Sequence, residues 1–456
     1  MSERRLSLLD KEAMDIMKDA KPFILPSITA ILHTVDKDIN ITHFINLRVE
    51  SNFNNNITDL IYVEFVIGLG MFKELIFNNK DKLEMTILLE NDYIKNANTV
   101  SSGYKSKFNK NNRYKFILIN SFKDSNKSSQ DAFDPAELDK QEIVTIKGQL
   151  VDPLLLALKN IFISGCYHDV SLNSLVKAIF NRELTKVKVL GRPLSYRLNV
   201  VDFDNTEVYR NIKIDPFTKL IKLPYTLQND SYGIYNNGIG LYFTNMRETD
   251  KFKYDINIYP LFDFNLFNTI EKRAKLIFYN PKIDSLGVNE YNFLYRHGIY
   301  KTIVTDIEFK EELEKDRFKN GTGLIESFST NTTNTDMFDI TDDTISYFDS
   351  AAYSIINYNN EIADYSSFNN TNLDANTYRH QSSINKNKGR IGVMKFPKLN
   401  PENIYPYMPF KYVFLKNGKV METTGTIQQV SYFYDYINKT SVVVVIGLFN
   451  MLNEEE

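Results

Sequence analysis

KYVFLKNGKVMETTGTIQQVSYFYDYINKTSVVVVIGLF, residues 411–449, is the stretch that decides the fold. Tyr412 to Leu415 forms a short apolar run, Asn417-Gly418 supplies a turn, and Thr426 to Tyr436 resumes in extended fashion up to Asn438-Lys439. Asn-Gly between two apolar runs is a strong local sign of a hairpin, because both residues accept the positive φ that a tight hairpin turn requires. Val442 to Ile446 is β-branched throughout and too short to span a bilayer as a helix, so it reads as a strand buried on both faces. The same grammar appears near the other end, in residues 57–90. There Ile61, Val63, Phe65 and Ile67 alternate with Tyr62, Glu64, Val66 and Gly68, and Leu83 to Leu89 follows after Gly68 and Gly70. Period-two alternation bounded by Gly and Asn predicts paired strands.

Between these cassettes the period changes. Pro153 to Ile163 places Leu154, Leu155, Ala157, Leu158, Ile161 and Phe162 at helical spacing, and Asp169 or Ser171 offers a cap for a second helix through Phe180. Its expected core face is Leu172, Leu175, Val176 and Ile179, with Ser164 to His168 as the loop joining the two helices. Extended segments are predicted at Tyr114–Ile119, 141–151, Ile212–Phe217, Leu220–Leu227, Ile239–Phe243, 253–264, 273–279 and 298–309, with a hairpin turn at Asn237-Gly238. Residues 6–18 read as a short amphipathic helix. Residues 105–113 form a basic loop around Phe108 that reads as a solvated hairpin tip, with contact to an acidic partner or nucleic acid as the other reading. Residues 322–388 are dominated by Ser, Thr, Asn, Asp and Tyr and bury little by themselves, which suits a long insertion draped over neighbours or ordered by a partner.

At 456 residues the chain exceeds the size at which one core keeps growing, so several domains are expected. A net charge of -3 argues against a stable nucleic-acid binder that works by neutralising phosphates. Cys166 is the one cysteine, which excludes an intramolecular disulfide and fits a reducing compartment. The N-terminus carries Asp10, Glu12 and Asp15 where a secretory leader would be apolar, and no membrane insertion is expected.

Chemistry-bearing motifs are missing. His33, His43, His168, His297 and His380 lack metal-ligand spacing, and Asp336, Asp339, Asp342 and Asp343 lack the central Gly and closing Glu of a calcium loop. Cys166 beside His168 has no third group, Asp202 and Asp204 read as a strand end, and Gly238 and Gly240 lack the third glycine of a phosphate cradle. No catalytic, metal or cofactor-binding residue is assigned, no cofactor is expected, and the chain is not expected to be an enzyme.

Residues 57–90, the helix 170–180, the passage PYTLQNDSYGIYNNGIGLYF at 224–243 and the closing run at 411–449 together resemble the baseplate hub of contractile-tailed bacteriophages. The resemblance implies a mainly β fold with a small α part (α+β), in which two tube-like β-barrel domains flank an inserted helical and mixed subdomain and a polar insertion. On that basis residues 1–20 are an N-terminal arm, 21–152 a first tube-like β domain and 153–265 the helical and mixed β subdomain. Residues 266–390 are then a mixed domain with the polar insertion, and 391–456 the closing strands of the second tube-like domain. It further implies a homotrimer in the virion baseplate, assembled in the host cytoplasm. That trimer would adapt the six-fold tail tube to a three-fold central spike, meet tube, spike and wedge proteins, and pass DNA transiently through its lumen. Another tail protein (tube, tube terminator or wedge component) and, less readily, a carbohydrate-processing enzyme are the alternatives.

Overall fold

The computed structural model describes residues 25–90, 106–119, 143–245, 253–269, 274–280, 294–296, 299–309, 389–396, 399–416 and 419–450, with short pieces between 327 and 382. The expected N-terminal helix, the Asn417-Gly418 turn, the charged stretch 311–318, the Asp336–Asp343 group, His297 and His380 lie outside the described residues. The fold is mainly β.

Seven strands precede residue 152: β1 (Ser27–His33), β2 (Asp38–Ile41), β3 (His43–Asn52), β4 (Leu60–Gly68), β5 (Glu84–Glu90), β6 (Arg113–Ile119) and β7 (Ile143–Val151). In β4 the predicted alternation holds, with Ile61, Val63, Phe65 and Ile67 all buried. The middle of the chain holds β8 (Phe162–Ser171), β9 (Lys188–Val189), β10 (Arg192–Pro193), β11 (Tyr196–Val200), β12 (Val208–Lys219), β13 (Ile239–Asn245) and β14 (Tyr254–Pro260). Then come β15 (Lys275–Asn280), β16 (Leu294–Arg296), β17 (Ile299–Ile303) and β18 (Asp306–Phe309), the short hairpins β19 (Ser327–Ser329) with β20 (Thr332–Asn334) and β21 (Tyr353–Ile356) with β22 (Ile362–Tyr365), and β23 (Gly389–Phe396). The chain closes with β24 (Pro409–Lys416), β25 (Lys419–Asp435) and β26 (Thr440–Asn450).

Strands from both ends form one 15-stranded sheet in the order β16-β17-β15-β24-β25-β3-β4-β7-β6-β5-β1-β2, with β26, β23 and β18 branching from β25. Among the described residues this path is open, and no strand closes it into a barrel as the sequence suggested. The two ends of the chain meet at β25. Seventeen residues long, it pairs with β24 over its first half and with β3 over its second, while β26 runs along the opposite edge. A strand that changes partner midway extends one unit's sheet into the next instead of folding it back on itself.

A first core lies under this sheet and mixes the two ends of the chain, with Leu47, Val49 and Phe65 in the same cluster as Phe278, Phe396, Phe410 and Phe449. A second core is built from residues 154–258 around the helix Leu172–Leu184, which Ser171 caps through its hydroxyl and whose Leu172, Leu175, Val176 and Ile179 are buried as expected.

Five expectations need correction. Only Pro153–Leu158 is helical in the first of the two predicted helices, and Ser164 to His168 is part of strand β8 rather than a loop, because β12 supplies it with a ladder partner. Residues 220–231 are successive helical turns with Pro224 in the first turn of the helix Leu223–Thr226, where proline's missing N–H costs nothing. Asn237-Gly238 does not join a hairpin, since β13 pairs with the later strand β14. In β26, Val443 and Val445 are buried while Val442 is exposed and Val444 half-buried, so one face of the strand, not both, meets the core.

Gly425 marks the crowded point at which β25 crosses between β24 and β26: a Cβ there would come within 2.2 Å of the Leu448 carbonyl oxygen and 2.4 Å of the Phe410 ring. Backbone cannot move aside as a flexible side chain can. Gly425→Ala is expected to cost about 3 kcal/mol in urea denaturation, at the upper end for overpacking; a loss under about 0.5 kcal/mol would contradict this packing.

Candidate functional site: the junction between the two ends of the chain

The β3–β25 ladder runs from Gln429 opposite Asn52 to Asp435 opposite Asn46. On its buried face Tyr432 stands opposite Val49 and Tyr434 opposite Leu47, all four nearly without solvent exposure. Cross-strand aromatic and β-branched pairs of this kind are the stabilising unit of a sheet. The ladder begins at a bulge, where Gln428 is buried: its carbonyl accepts from Phe53 N at 2.9 Å and its Nε2 donates to Leu261 O at 2.9 Å. Strands β13 and β14, whose Leu241, Phe243, Ile256 and Ile258 lie in the second core, reach the same place with residues of the first: the Tyr259 hydroxyl donates to Phe53 O at 2.8 Å, and Tyr242 is edge-on to Phe53 at 5.0 Å.

Beside the ladder lies a buried ionic knot. Asp59 accepts from Lys107 Nζ at 2.6 Å, from Tyr242 OH at 2.6 Å and from Ser51 Oγ. Burial by itself would raise the Asp59 pKa, but the Lys107 charge and the hydrogen bonds from Lys107, Ser51 and Tyr242 outweigh it and hold the carboxyl below its ordinary range. Ser106 donates to Glu402 Oε1 at 2.7 Å, and Glu402 Oε2 accepts from Lys107 N at 3.3 Å. The described part of the basic loop is therefore not a solvated tip: Ser106, Phe108, Asn109 and Asn112 are buried. Asn112 Nδ2 closes the loop on Lys107 O at 2.6 Å. Four separate parts of the chain, at residues 51–59, 107, 242 and 402, meet through this knot.

A second buried carboxylate links the two cores. Asp152 ends the first run of strands and caps the helix Pro153–Leu158, accepting from Leu154 N at 2.7 Å; Asn245 Nδ2, at the end of β13, donates to its other oxygen at 2.6 Å. Burial pushes the Asp152 carboxyl up to about 6, against the lowering effects of the Leu154 and Asn245 bonds and of Lys253.

The opposite face of the large sheet is partly solvated and balanced in charge. Across β3, β4 and β7 it presents Arg48, Glu50, Tyr62, Glu64, Lys147 and Gln149. Arg48 pairs with Glu50, Lys147 with Glu64 at 3.3 Å, and Asn46 donates to Glu64 at 2.7 Å.

Residues that the sequence raised as chemical candidates are dispersed. His33 bonds Asp38 at 2.7 Å and Thr86 at 3.0 Å, His43 bonds Thr42 at 2.9 Å, and His168 bonds Asn211 at 2.6 Å on the exposed strand that also holds Cys166. Asp202 faces Lys177 at 3.6 Å, and Asp204 accepts from Asn236 N at 2.7 Å. Among the described residues no group of His, Cys, Asp and Glu is placed to hold a metal ion. The junction residues Ser51, Asp59, Lys107, Tyr242 and Glu402 escaped sequence reading, because no local spacing connects them.

Two predictions follow from opposite electrostatics. Lys107→Met leaves Asp59 buried and unpaired and is expected to cost about 3–5 kcal/mol in urea denaturation at pH 7, whereas adding Asp59→Asn to it recovers much of that loss; a single variant within about 1 kcal/mol of the parent would contradict the pairing. For Asp152 the folded pKa, about 6, lies above the ordinary 3.8, so the folded chain binds the proton more tightly than the unfolded one. Its contribution is full below pH 4 and is lost as pH rises to about 6, a swing of about 3 kcal/mol for a shift of about two units. Thermal midpoints of Asp152→Asn between pH 4.5 and 7 are expected to fall less with rising pH than those of the parent, and equal slopes would refute the assignment.

No family model matches the chain, and no curated protein matches it in sequence. Some solved structures are similar to it in fold. The 43 kDa tail protein of prophage MuSo2 from Shewanella oneidensis is similar at 12% identity and TM-score 0.45, over 92% of this chain and 98% of that one. The tail protein from Neisseria meningitidis MC58 is similar at 8% identity and TM-score 0.43, over 92% and 96%. An Escherichia coli type VI secretion component that exhibits structural similarity to T4 bacteriophage tail proteins is similar at 8% identity and TM-score 0.39, over 92% and 77%.

Proposed function

We propose that this chain is a structural tail protein of a bacteriophage virion, the baseplate hub of a contractile tail. The observation that carries this reading is the β3–β25 ladder, which fuses an amino-terminal β unit and a carboxy-terminal β unit into one sheet within a single chain. Residues 21–152 supply the first unit in this reading, residues 391–456 close the second, and 153–265 and 266–390 lie between them. Two β units per chain allow three copies to present six units in a ring, the geometry needed to join a six-fold tube to a three-fold spike. Among the described residues the sheet ends at β2 and β16, which suits such a ring, because backbone groups unpaired in one copy can be covered by the next. A barrel open in the monomer and closed in the assembly reconciles the tube-like expectation with the open path.

Tail tube subunits, a central spike and wedge proteins are the partners of this ring, and its lumen would pass DNA transiently. The charge-balanced sheet face supports that use, since paired Arg48–Glu50 and Lys147–Glu64 would not grip a phosphate backbone. The role is non-enzymatic in this reading, and the purely single-unit tube alternative is disfavoured by the intrachain ladder.

Sedimentation equilibrium of the purified chain is the direct test, with a mass of three copies expected. Electron microscopy of that species is expected to show a ring of six similar β units around an open centre. A stable hexamer would instead favour a tube or terminator protein.

A further inference from the structure

The three-stranded sheet β11-β14-β13 shares no ladder with the 15-stranded sheet among the described residues, so side chains and single backbone bonds join the two. β13 is the rail along which they meet, and a carboxylate grips it at two places. At the first, the Tyr242 hydroxyl donates to Asp59 at 2.6 Å and Phe243 N donates to Ile57 O at 2.7 Å. At the second, ~10 Å farther along the extended strand, Asn245 Nδ2 donates to Asp152 at 2.6 Å and to the Tyr114 hydroxyl at 3.3 Å. Asp152 is also the covalent boundary, following β7 and preceding the helix Pro153–Leu158. Separation at this end therefore means β13 leaving the end of β7.

The two grips are built differently. Tyr259 and Gln428 reinforce the first through Phe53 O and Leu261 O, and Lys107 bonds Asp59 directly. Asp152 is as deeply buried, yet Lys253 faces it without a direct bond. Around it stand Tyr114 on β6, Tyr254 opposite Asn245 on β14, and Lys253 just before β14, with Arg192 of β10 acting on the lysine and Asp59 acting from the other grip. Burial holds both phenols above their ordinary range, so they stay neutral and leave the carboxylate without a close countercharge. Thr244 Oγ1 and Asn245 Oδ1, at the same end of β13, are buried without a hydrogen-bond partner among the described residues. Both gain water if this end opens, and an unsatisfied buried polar atom favours that exchange.

We propose that Asp152 is a proton-controlled latch between the two cores: protonated, it holds the end of β13 against the first sheet, and ionised, it lets that end open to water while Asp59 keeps the rest of the strand in place. Burial raises both carboxyls, but at Asp59 the Lys107 charge and three hydrogen bonds outweigh it, whereas Asp152 is left near 6. A folded value above the ordinary one means that the closed latch is favoured below pH 4 and loses that advantage as pH rises through about 6. Near neutral pH only one of the two grips has changed its charge, so the strand is released from one end. The latch is a property of the single chain and does not depend on how copies assemble.

Hydrogen–deuterium exchange of the full-length chain between pH 4.5 and 7.5, corrected for the intrinsic exchange rate, tests it. Peptides covering 150–158 and the end of β13 are expected to lose roughly tenfold or more of their protection across that range, as follows for a carboxyl titrating near 6 when closed and near 3.8 when open. Peptides from 51–59 and from the β3–β25 ladder are expected to keep theirs. Asp152→Asn retains the helix cap, since asparagine serves there as well as aspartate, and is expected to abolish the step. Lys253→Met withdraws a charge that favours the ionised form and is expected to move the step to higher pH. Equal protection at both ends of the range, or a step that survives in Asp152→Asn, would overturn the latch. A loss shared by the β3–β25 ladder would make the event global unfolding and overturn it too. Should Asp152→Asn fail to fold, the Lys253→Met variant decides: a displaced step supports the latch, and an unmoved one refutes it.

Discussion

Backbone pairing between β3 and β25 is the constraint on which the rest of this molecule depends. It joins residues near position 50 to residues near position 430, so the entropy of closing a very long loop must be overcome before the ladder contributes anything. What offsets that cost is the apolar surface removed from water when Tyr432 and Tyr434 cover Val49 and Leu47, together with the shared aromatic core beneath. Remove the ladder, and each β unit would expose a long row of unpaired N–H and C=O groups, the configuration that leads to unwanted edge pairing. The fold of either end is thus conditional on the other, which is a reason for both to occupy one chain.

Polar knots at this junction act as register pins more than as sources of stability. A buried ion pair such as Asp59–Lys107 recovers its desolvation cost only when its geometry is good and its remaining lone pairs are satisfied. Here Ser51 and Tyr242 complete the carboxylate, and Glu402 holds the loop that carries the lysine. A one-residue slip of β3 would move Ser51 to the other face of the sheet and break the set, since side chains alternate along a strand. Asp152 does the corresponding job between the two cores with a weaker balance, because Lys253 faces it without a direct bond and burial dominates its protonation.

The sequence made the strands legible wherever one face is buried and the other wet. Alternation in residues 60–68 corresponds residue by residue to the buried set, and Ser171 and the face of the helix Leu172–Leu184 follow from capping and spacing rules. Legibility failed where the deciding partner is remote. Lys107 and its loop look solvated because their composition is polar, yet Asp59 is 48 residues away and the Glu402 that holds Ser106 is 296 away. Strand β8 failed for a related reason: it lies on an exposed ribbon and shows no apolar alternation, so only β12 reveals it. The open path among the described residues could not be read from β25 either, since nothing in a run of alternating residues says that its partner changes at Gln428.

The permanence of the intrachain junction contrasts with the ends of the same sheet. β2 has four residues and β16 three, each paired on one side among the described residues, while the internal strands β25 and β26 have 17 and 11. Short edge strands offer few backbone hydrogen bonds, which protects a chain from promiscuous edge pairing before assembly. They also make any further pairing at the ends of the sheet short. Covalent continuity makes the β3–β25 junction intramolecular and independent of concentration, whereas pairing at the short ends of the sheet would depend on it.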